Sequence, residues 1–253
     1  MKNKTALITG ATSGIGRATA RLFAKNGVRL IICGRRQDRL DALALELQKH
    51  TEVLILNFDV RNKVRVFEMI ASLSEAFSKI DILINNAGNA HGLDTIQDGN
   101  TDDWDAMIDI NVKGLLYVSK AIIPKMIASK SGHIINIGST AGKEVYPKEN
   151  VYCASKHAVD AINQGIRLDL NGKGIKVGAI NPGLVETEFS EVRFKDDNER
   201  AEKVYQGFTP LKPEDIADII WFAVTRPPHV NIADLTVMCL DQASSTVVNK
   251  VEG

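Results

Sequence analysis

Short apolar segments alternate with amphipathic ones along almost the whole chain of 253 residues. The apolar segments have the length of buried strands, and they cover residues 5–9, 29–33, 53–56, 80–84, 132–137, 176–180 and 235–240. Most of the intervening segments carry apolar residues at helical spacing. Strands that alternate with helices predict a doubly wound parallel sheet of seven strands, with helices on both faces. We therefore expect an α/β fold in which residues 1–253 form a single domain.

A glycine-rich turn follows the first strand and leads directly into a helical segment. We expect the following residues of this turn to bind a ligand: Gly10, Thr12, Ser13, Gly14, Ile15 and Gly16. Strand, glycine-rich turn and helix in this order are typical of a dinucleotide site, because small residues let the backbone approach a pyrophosphate at a helix N-terminus. A P-loop would need Lys and Ser or Thr after the last glycine, where this chain has Arg17 and Ala18. The alternative is a tight turn that binds no ligand.

Two arginines, Arg35 and Arg36, follow the second strand. In dinucleotide-binding folds an acidic residue near this point binds the adenosine ribose. This chain has no Asp or Glu there, and guanidinium groups match a 2′-phosphate through bidentate hydrogen bonds. The pattern predicts NADP(H), with no acidic residue placed to repel its 2′-phosphate. The alternative is a pair of solvated arginines at the start of the next helix.

Small and polar residues follow the other strands of the expected sheet. Asp59 and Val60 lie just past the third strand, Asn86, Ala87 and Gly88 follow the fourth, and Ser139 follows the fifth. Because open α/β sheets bind ligands beyond the carboxyl ends of their strands, we expect these residues beside one ligand.

Tyr152 and Lys156 lie one turn apart on the same face of a predicted helix. An ammonium group beside a phenol favours the phenolate, so this tyrosine could exchange a proton near neutral pH. A hydroxyl from Ser139 could then donate to a substrate oxygen. The alternative is a helix surface on which the two residues have no joint role. Asn111, inside a long helical stretch from 101 to 129, is either an ordinary surface residue or a placed polar group.

Composition excludes several classes of protein. Lys+Arg and Asp+Glu both number 31, so no basic bias suggests nucleic acid. No apolar run approaches the roughly 20 residues that span a bilayer, and the N-terminus lacks the apolar core of a signal peptide. The three cysteines and five histidines are scattered, so we expect no metal site and a reducing compartment. These patterns predict a cytoplasmic protein that acts on a small molecule, without nucleic-acid or membrane partners.

Taken together, the motifs resemble the short-chain dehydrogenase/reductase family in its single-domain, Rossmann-type form. The matching residues are 9–16, Asp59, 85–88, Asn111, Ser139, Tyr152, Lys156, Pro182 and Gly183. The resemblance implies a catalytic tetrad of Asn111, Ser139, Tyr152 and Lys156, and often a homotetramer. It also implies that Lys156 binds the nicotinamide ribose and lowers the pKa of Tyr152. The cofactor residues that it adds are Tyr152, Lys156, Pro182, Gly183, Val185 and Thr187.

A closer resemblance joins the chain to the NADP-dependent 3-hydroxy acid dehydrogenase branch. It rests on the segments 133–142, 183–190, 192–195 and 228–231. The implied substrates are serine, allo-threonine and 3-hydroxypropanoate, or the matching semialdehydes. The alternatives are a general carbonyl reductase for another small aldehyde or ketone, including sulfoacetaldehyde, and a dinucleotide-binding regulator without catalysis.

The longest irregular stretch, 184–212, predicts a lid over the substrate. Arg193 lies between Phe189 and Phe194 in this stretch, and we predict that it contacts a substrate carboxylate or sulfonate. The alternative is a surface arginine.

Overall fold

All seven predicted strands form one parallel sheet in the computed structural model, which describes residues 1–194, 199 and 204–251. The strands are β1 (Thr5–Thr9), β2 (Arg29–Gly34), β3 (Val53–Asn57), β4 (Ile82–Asn85), β5 (Gly132–Ile137), β6 (Ile175–Pro182) and β7 (Asp234–Val237). Their order is β3-β2-β1-β4-β5-β6-β7, so the winding of the chain reverses between β1 and β4. The predicted doubly wound sheet is confirmed.

Helices cover both faces of this sheet. They are α1 (Gly14–Lys25), α2 (Gln37–Leu47), α3 (Lys63–Ala71), α4 (Glu75–Ser78), α5 (Thr101–Ile108), α6 (Leu115–Ser129), α7 (Asn150–Asp169), α8 (Phe189–Arg193) and α9 (Pro213–Val224). Successive residues of β1 point to opposite faces, as the pleat of a strand requires. Ile8 packs in one apolar cluster with Phe23 of α1 and Ile220 of α9, whereas Leu7 packs in a second cluster with Ile122 of α6.

The stretch predicted as one helix from 101 to 129 is interrupted. A π-helical segment, Asp109–Gly114, separates α5 from α6 and contains Asn111. Asn100 is the N-cap of α5, and its side chain accepts from the Asp102 backbone N–H at 2.8 Å. π-Helical turns are rare and frequently lie at functional sites.

The chain after β7 packs against the rest of the structure. Gln242 is buried and pairs with Val248 in an isolated β-bridge. The backbone N–H of Val251 donates to the Gly207 carbonyl at 2.8 Å. The chain after β7 therefore folds back over the segment that follows β6.

Only part of the predicted lid can be described. It contains α8, and the Tyr205 hydroxyl donates to the Val185 carbonyl at 2.9 Å. Residues 195–198 and 200–203 lie outside the described residues, as does the last residue of the resembling segment 192–195. Within the part of the chain that the structure describes, we find no helix with the length and apolar character needed to cross a membrane.

Candidate active site

One crevice runs along the carboxyl edge of the sheet, from Arg35 and Arg36 at one end to Tyr152 and Arg193 at the other. The predicted site residues that line it are Gly10, Thr12, Ser13, Gly14, Ile15, Arg35, Arg36, Asp59, Val60, Asn86, Ala87, Gly88, Ser139, Tyr152, Lys156, Pro182, Gly183, Val185, Thr187 and Arg193. Gly16 and Asn111 lie behind this wall. The fold thus brings residues from six of the seven strand ends to one surface.

The glycine-rich turn has the shape that an anion site needs. Gly10 and Gly14 adopt positive φ angles of 63° and 48°, which L side chains rarely adopt. A Cβ atom at Gly16 would lie 2.3 Å from the Gly10 carbonyl oxygen, so glycine lets α1 start this close to β1. The N-terminus of α1 therefore opens into the crevice, where its free N–H groups suit a phosphate.

Asn86 holds this turn in place. Its side-chain amide donates to the carbonyls of Thr9 at 2.9 Å and Gly10 at 3.1 Å. The Thr9 hydroxyl in turn accepts from the backbone N–H groups of Asn86 and Ala87, both at 3.0 Å. The ends of β1 and β4 are therefore fixed relative to each other beside the ligand surface.

The arginine end of the crevice contains acidic residues, so the prediction that none lies there is wrong. Glu188 Oε2 is 3.6 Å from Arg36 and 2.6 Å from Arg39, while Asp59 Oδ2 is 3.9 Å from Arg35. Glu188 is far away along the chain, and only the fold brings it to this end.

The balance of charge at this end nevertheless stays positive. Arg61 also pairs with Asp59, at 2.7 Å, so four guanidinium groups (Arg35, Arg36, Arg39, Arg61) meet two carboxylates and two positive charges remain. Burial opposes ionisation of Asp59, but its hydrogen bonds with Arg61 hold the pKa of this carboxyl below its usual value. Both acids are thus occupied mainly by Arg39 and Arg61.

Asn111 supports the backbone next to the buried lysine. Its amide donates to the Asn89 carbonyl at 2.9 Å and to the Ser155 hydroxyl at 3.0 Å, and its carbonyl accepts from the Asn89 N–H. Lys156 donates to the Ile137 carbonyl at 3.1 Å. Burial lowers the pKa of Lys156 to about 8.

Tyr152 is almost completely buried at the other end of the crevice. Burial raises its pKa to about 12, while the positive charge of Arg193 and a hydrogen bond with Ser139 lower it. The resemblance assigns this lowering to Lys156, but the Lys156 ammonium lies 5.9 Å from the ring centroid and the Arg193 guanidinium lies closer, at 5.2 Å. The Ser139 hydroxyl accepts from the Ala141 N–H at 3.1 Å, which leaves its own proton for donation.

Arg193 is not a surface residue. Its side chain is 15% exposed and its guanidinium stacks on the rings of Tyr152 and Phe189, at 5.2 and 5.1 Å from their centroids. It pairs with Glu149, whose side chain is only 2% exposed. Burial raises the pKa of Glu149 to about 7, and the charge of Arg193 acts against this rise.

Several residues of the wall were missed by sequence reasoning, among them Tyr146, Gln242 and Ser245. Gln242 Oε1 accepts from the Leu184 N–H at 2.9 Å, and a Cβ atom at Gly183 would lie 2.1 Å from this oxygen. The close approach of Gln242 therefore requires glycine at position 183, whether or not a ligand binds there. No local pattern marks Gln242 or Ser245, because both come from the chain after β7.

This arrangement can hold an extended anionic cofactor beside the hydroxyls of Tyr152 and Ser139. The turn and the arginines supply donors and positive charge at one end. Tyr152 and Ser139 supply a transferable proton and a hydrogen-bond donor at the other. Among the described residues no group of His, Cys, Asp and Glu side chains is arranged to hold a metal ion.

Comparisons with known proteins agree with this arrangement. A family model described as short chain dehydrogenase matches residues 4–198. The NADP-dependent 3-hydroxy acid dehydrogenase YdfG of Salmonella typhi is 47% identical over 238 residues, covering 94% of this chain and 95% of that protein. A sulfoacetaldehyde reductase of Chromohalobacter salexigens is 44% identical over 239 residues, covering 94% of each chain.

Solved structures include the closed form of a serine dehydrogenase complexed with NADP+. It is 44% identical and superposes with a TM-score of 0.92, over 98% of this chain and 100% of that chain. Both the sequence and the fold thus match one group of enzymes over nearly their full length.

Proposed function

This chain belongs to the short-chain dehydrogenase family, and from that premise we propose that it transfers a hydride between NADP(H) and a small 3-hydroxy acid or its semialdehyde. Serine, allo-threonine and 3-hydroxypropanoate represent this substrate class. The proposal rests on one observation: the guanidinium of Arg193 is buried and stacks on the ring of Tyr152. It offers an anionic substrate a charged partner beside the group that exchanges the proton.

The residues of the chain divide the work of proton transfer. Tyr152 exchanges a proton with the substrate oxygen, and the hydroxyl of Ser139 donates a hydrogen bond to that oxygen as its charge develops. Lys156 would bind the nicotinamide ribose of the cofactor. Asn111 fixes the backbone around Asn89 and, through Ser155, the first turns of α7. NADP(H), when bound, supplies the hydride chemistry.

The cofactor fits the charge and shape of the crevice. The turn from Gly10 to Gly16 would hold the pyrophosphate, and Arg35 and Arg36 would bind the 2′-phosphate with the two positive charges left at that end. Asp59 and Val60, on the same wall, would bind the adenosine half. The nicotinamide half is assigned to Asn86, Ala87, Gly88, Pro182, Gly183, Val185 and Thr187. This assignment rests on the common position of these residues on the crevice wall.

The test of Arg193 compares one substrate with and without its charge. Arg193→Ala should raise KM for 3-hydroxypropanoate about tenfold or more, because a charged hydrogen bond is worth roughly 1.5–3 kcal/mol. KM for the methyl ester of the same acid should change much less. Steady-state kinetics with NADP+ measure both values, and equal effects on acid and ester would reject the contact.

A general carbonyl reductase is the second candidate, and the Glu149–Arg193 pair favours it. Because Glu149 already compensates the charge of Arg193, a neutral substrate can bind beside Tyr152 without leaving a buried charge unpaired. Rates of NADP+ reduction with L-serine, L-allo-threonine and 3-hydroxypropanoate, against 2-butanol, separate the two candidates. Higher kcat/KM for 2-butanol would favour the second.

We also propose a cytoplasmic homotetramer in which each chain is one domain. β7 is an edge strand, and just after it Leu240 is fully exposed while Met238 is partly exposed. Apolar side chains at an open edge suit burial against a second copy. The three cysteines are free and buried, which suits a reducing compartment. Light scattering after size-exclusion chromatography tests the assembly, and a monomeric mass would reject it.

A further inference from the structure

Glu149 is an acidic residue buried at the substrate end of the crevice. It precedes α7 by one residue, and its backbone carbonyl accepts from the Cys153 N–H at 2.8 Å. Its side chain lies behind Arg193 and lines a smaller cleft together with His91, Asp103 and Trp104. Buried carboxylates are rare unless they are paired, so the partner of Glu149 identifies its role.

That partner is Arg193, and the pairing uses only one edge of the guanidinium. The two terminal nitrogens of Arg193 lie 3.2 and 3.4 Å from the two oxygens of Glu149. The Nε atom of Arg193 is buried and has no hydrogen-bond partner. The Ser245 hydroxyl, also on the crevice wall, is likewise buried without a partner. Two buried donors on this wall therefore lack a partner, and the polar end of a substrate can supply one.

We propose that Glu149 is a specificity-determining residue that holds Arg193 in position and offsets its charge, so that the site binds a 3-hydroxy amino acid of zero net charge in preference to a 3-hydroxy acid with a net negative charge. The proposal rests on the proposed function, in which Arg193 contacts the substrate anion. A plain 3-hydroxy acid adds an uncompensated negative charge near Glu149. A 3-hydroxy amino acid carries an ammonium group beside its carboxylate, so its net charge is zero and Glu149 opposes it less.

The carboxylate of Glu149 also gives the site a pH dependence. Burial raises the pKa of Glu149 to about 7, against the charge of Arg193. Below this pH Glu149 is neutral and Arg193 keeps its full charge. Above it Glu149 is ionised, so KM for a monoanionic substrate should rise as the pH increases through about 7.

Other titratable groups surround Glu149 and could contribute to a pH profile. They are Arg193 on α8, Tyr152 and Cys153 on α7, Tyr146 and Lys148 before it, His91 and Asp94 on the segment leading to α5, and Asp103 in the first turn of α5. All of them remain in a Glu149→Gln variant. A pH dependence that disappears in this variant therefore belongs to Glu149.

The experiment measures KM and kcat for 3-hydroxypropanoate, its methyl ester and L-serine in wild type, Glu149→Gln and Glu191→Gln. Glutamine keeps an oxygen that can accept from Arg193 and removes the charge. Glu149→Gln should lower KM for 3-hydroxypropanoate about 5- to 30-fold, change L-serine less and leave the ester and kcat almost unchanged. Glu191→Gln removes the same charge from the exposed surface of α8 and should change none of these values.

A second measurement needs no variant. In wild type, KM for 3-hydroxypropanoate should increase several-fold from about pH 6 to about pH 8, and the ester should show no such increase. The role of Glu149 would be overturned if KM for 3-hydroxypropanoate did not change with pH. It would also be overturned if Glu149→Gln changed KM for the acid and for the ester by the same factor. If Arg193→Ala still separates acid from ester, the proposed function stands without this inference; if it does not, the anion contact itself fails.

Discussion

The two ends of the crevice use the same chemical groups in opposite surroundings. At the exposed end, Arg35 and Arg36 are 58% and 43% exposed, and their carboxylate partners lie at 3.9 and 3.6 Å. At the buried end, Arg193 and Glu149 are 15% and 2% exposed and lie 3.2 Å apart. Exposed ion pairs contribute about 0–1 kcal/mol, whereas one unpaired charge in a buried pair is costly.

The comparison explains how each end can select its ligand. At the exposed end, selection comes from several screened contacts, so it should grow with the number of arginines and shrink with salt. At the buried end, a single change of charge should alter KM for a charged substrate, since little water is present to compensate. Of the three variants that follow, the first two each alter one end and leave the other intact, and the third alters neither.

Tyr152→Phe should have the largest effect. The ring and its stacking with Arg193 survive, but the transferable proton is lost, so kcat should fall roughly 10²–10⁴-fold. The Kd for NADPH, measured by fluorescence titration, should stay nearly constant because the arginine end is unchanged. A variant that retains more than about a tenth of kcat would remove Tyr152 from proton transfer.

Arg35→Ala/Arg36→Ala tests the exposed end. One screened contact per arginine totals about 2–4 kcal/mol, which corresponds to roughly 30- to 1,000-fold preference for NADP(H) over NAD(H). The double variant should lose most of this preference by weakening NADP(H), while NAD(H) is scarcely affected. The measurement is kcat/KM for both cofactors at low and high salt. Wild type that prefers NAD(H), or a double variant that still prefers NADP(H), contradicts this role.

Asn62→Ala should have the smallest effect and should change neither end. Asn62 caps α3, and its side chain accepts from the Arg65 N–H at 3.0 Å. Losing such a cap costs about 1 kcal/mol, so the free energy of unfolding in urea should fall by that amount. Unchanged KM values for cofactor and substrate would show that stability and selection are separable; altered values would mean that the ends are less independent than their surroundings indicate.

Local patterns predicted the sheet well for a physical reason. A strand buried on both faces is a short run of apolar residues, as in 5–9 and 29–33, and such runs are visible without knowledge of the fold. The glycine-rich turn was equally visible, because it needs particular residues at fixed spacing.

The charged partners at both ends were not predictable in this way. Glu188 reaches Arg39 and Glu149 reaches Arg193 only after the sheet has formed, across sequence separations of 149 and 44 residues. An acidic residue in a loop resembles any solvated acid until its burial is known. The predicted substrate contact of Arg193 remains a prediction, although its burial excludes the surface alternative.

The π-helical segment between α5 and α6 has a consequence for insertions and deletions. Along this stretch the buried apolar residues Ile110 and Leu115 are five positions apart, whereas Val118, Ile122 and Met126 are four apart. One extra residue in a helical turn offsets its phase by about 100°. Losing one residue here would therefore act as a rotation rather than a shortening: α6 could keep its face to the sheet only if Asn111 turned away from Asn89 and Ser155. Through the contact of Asn111 with Ser155, a change in length by a single residue would alter α7 without any substitution in that helix.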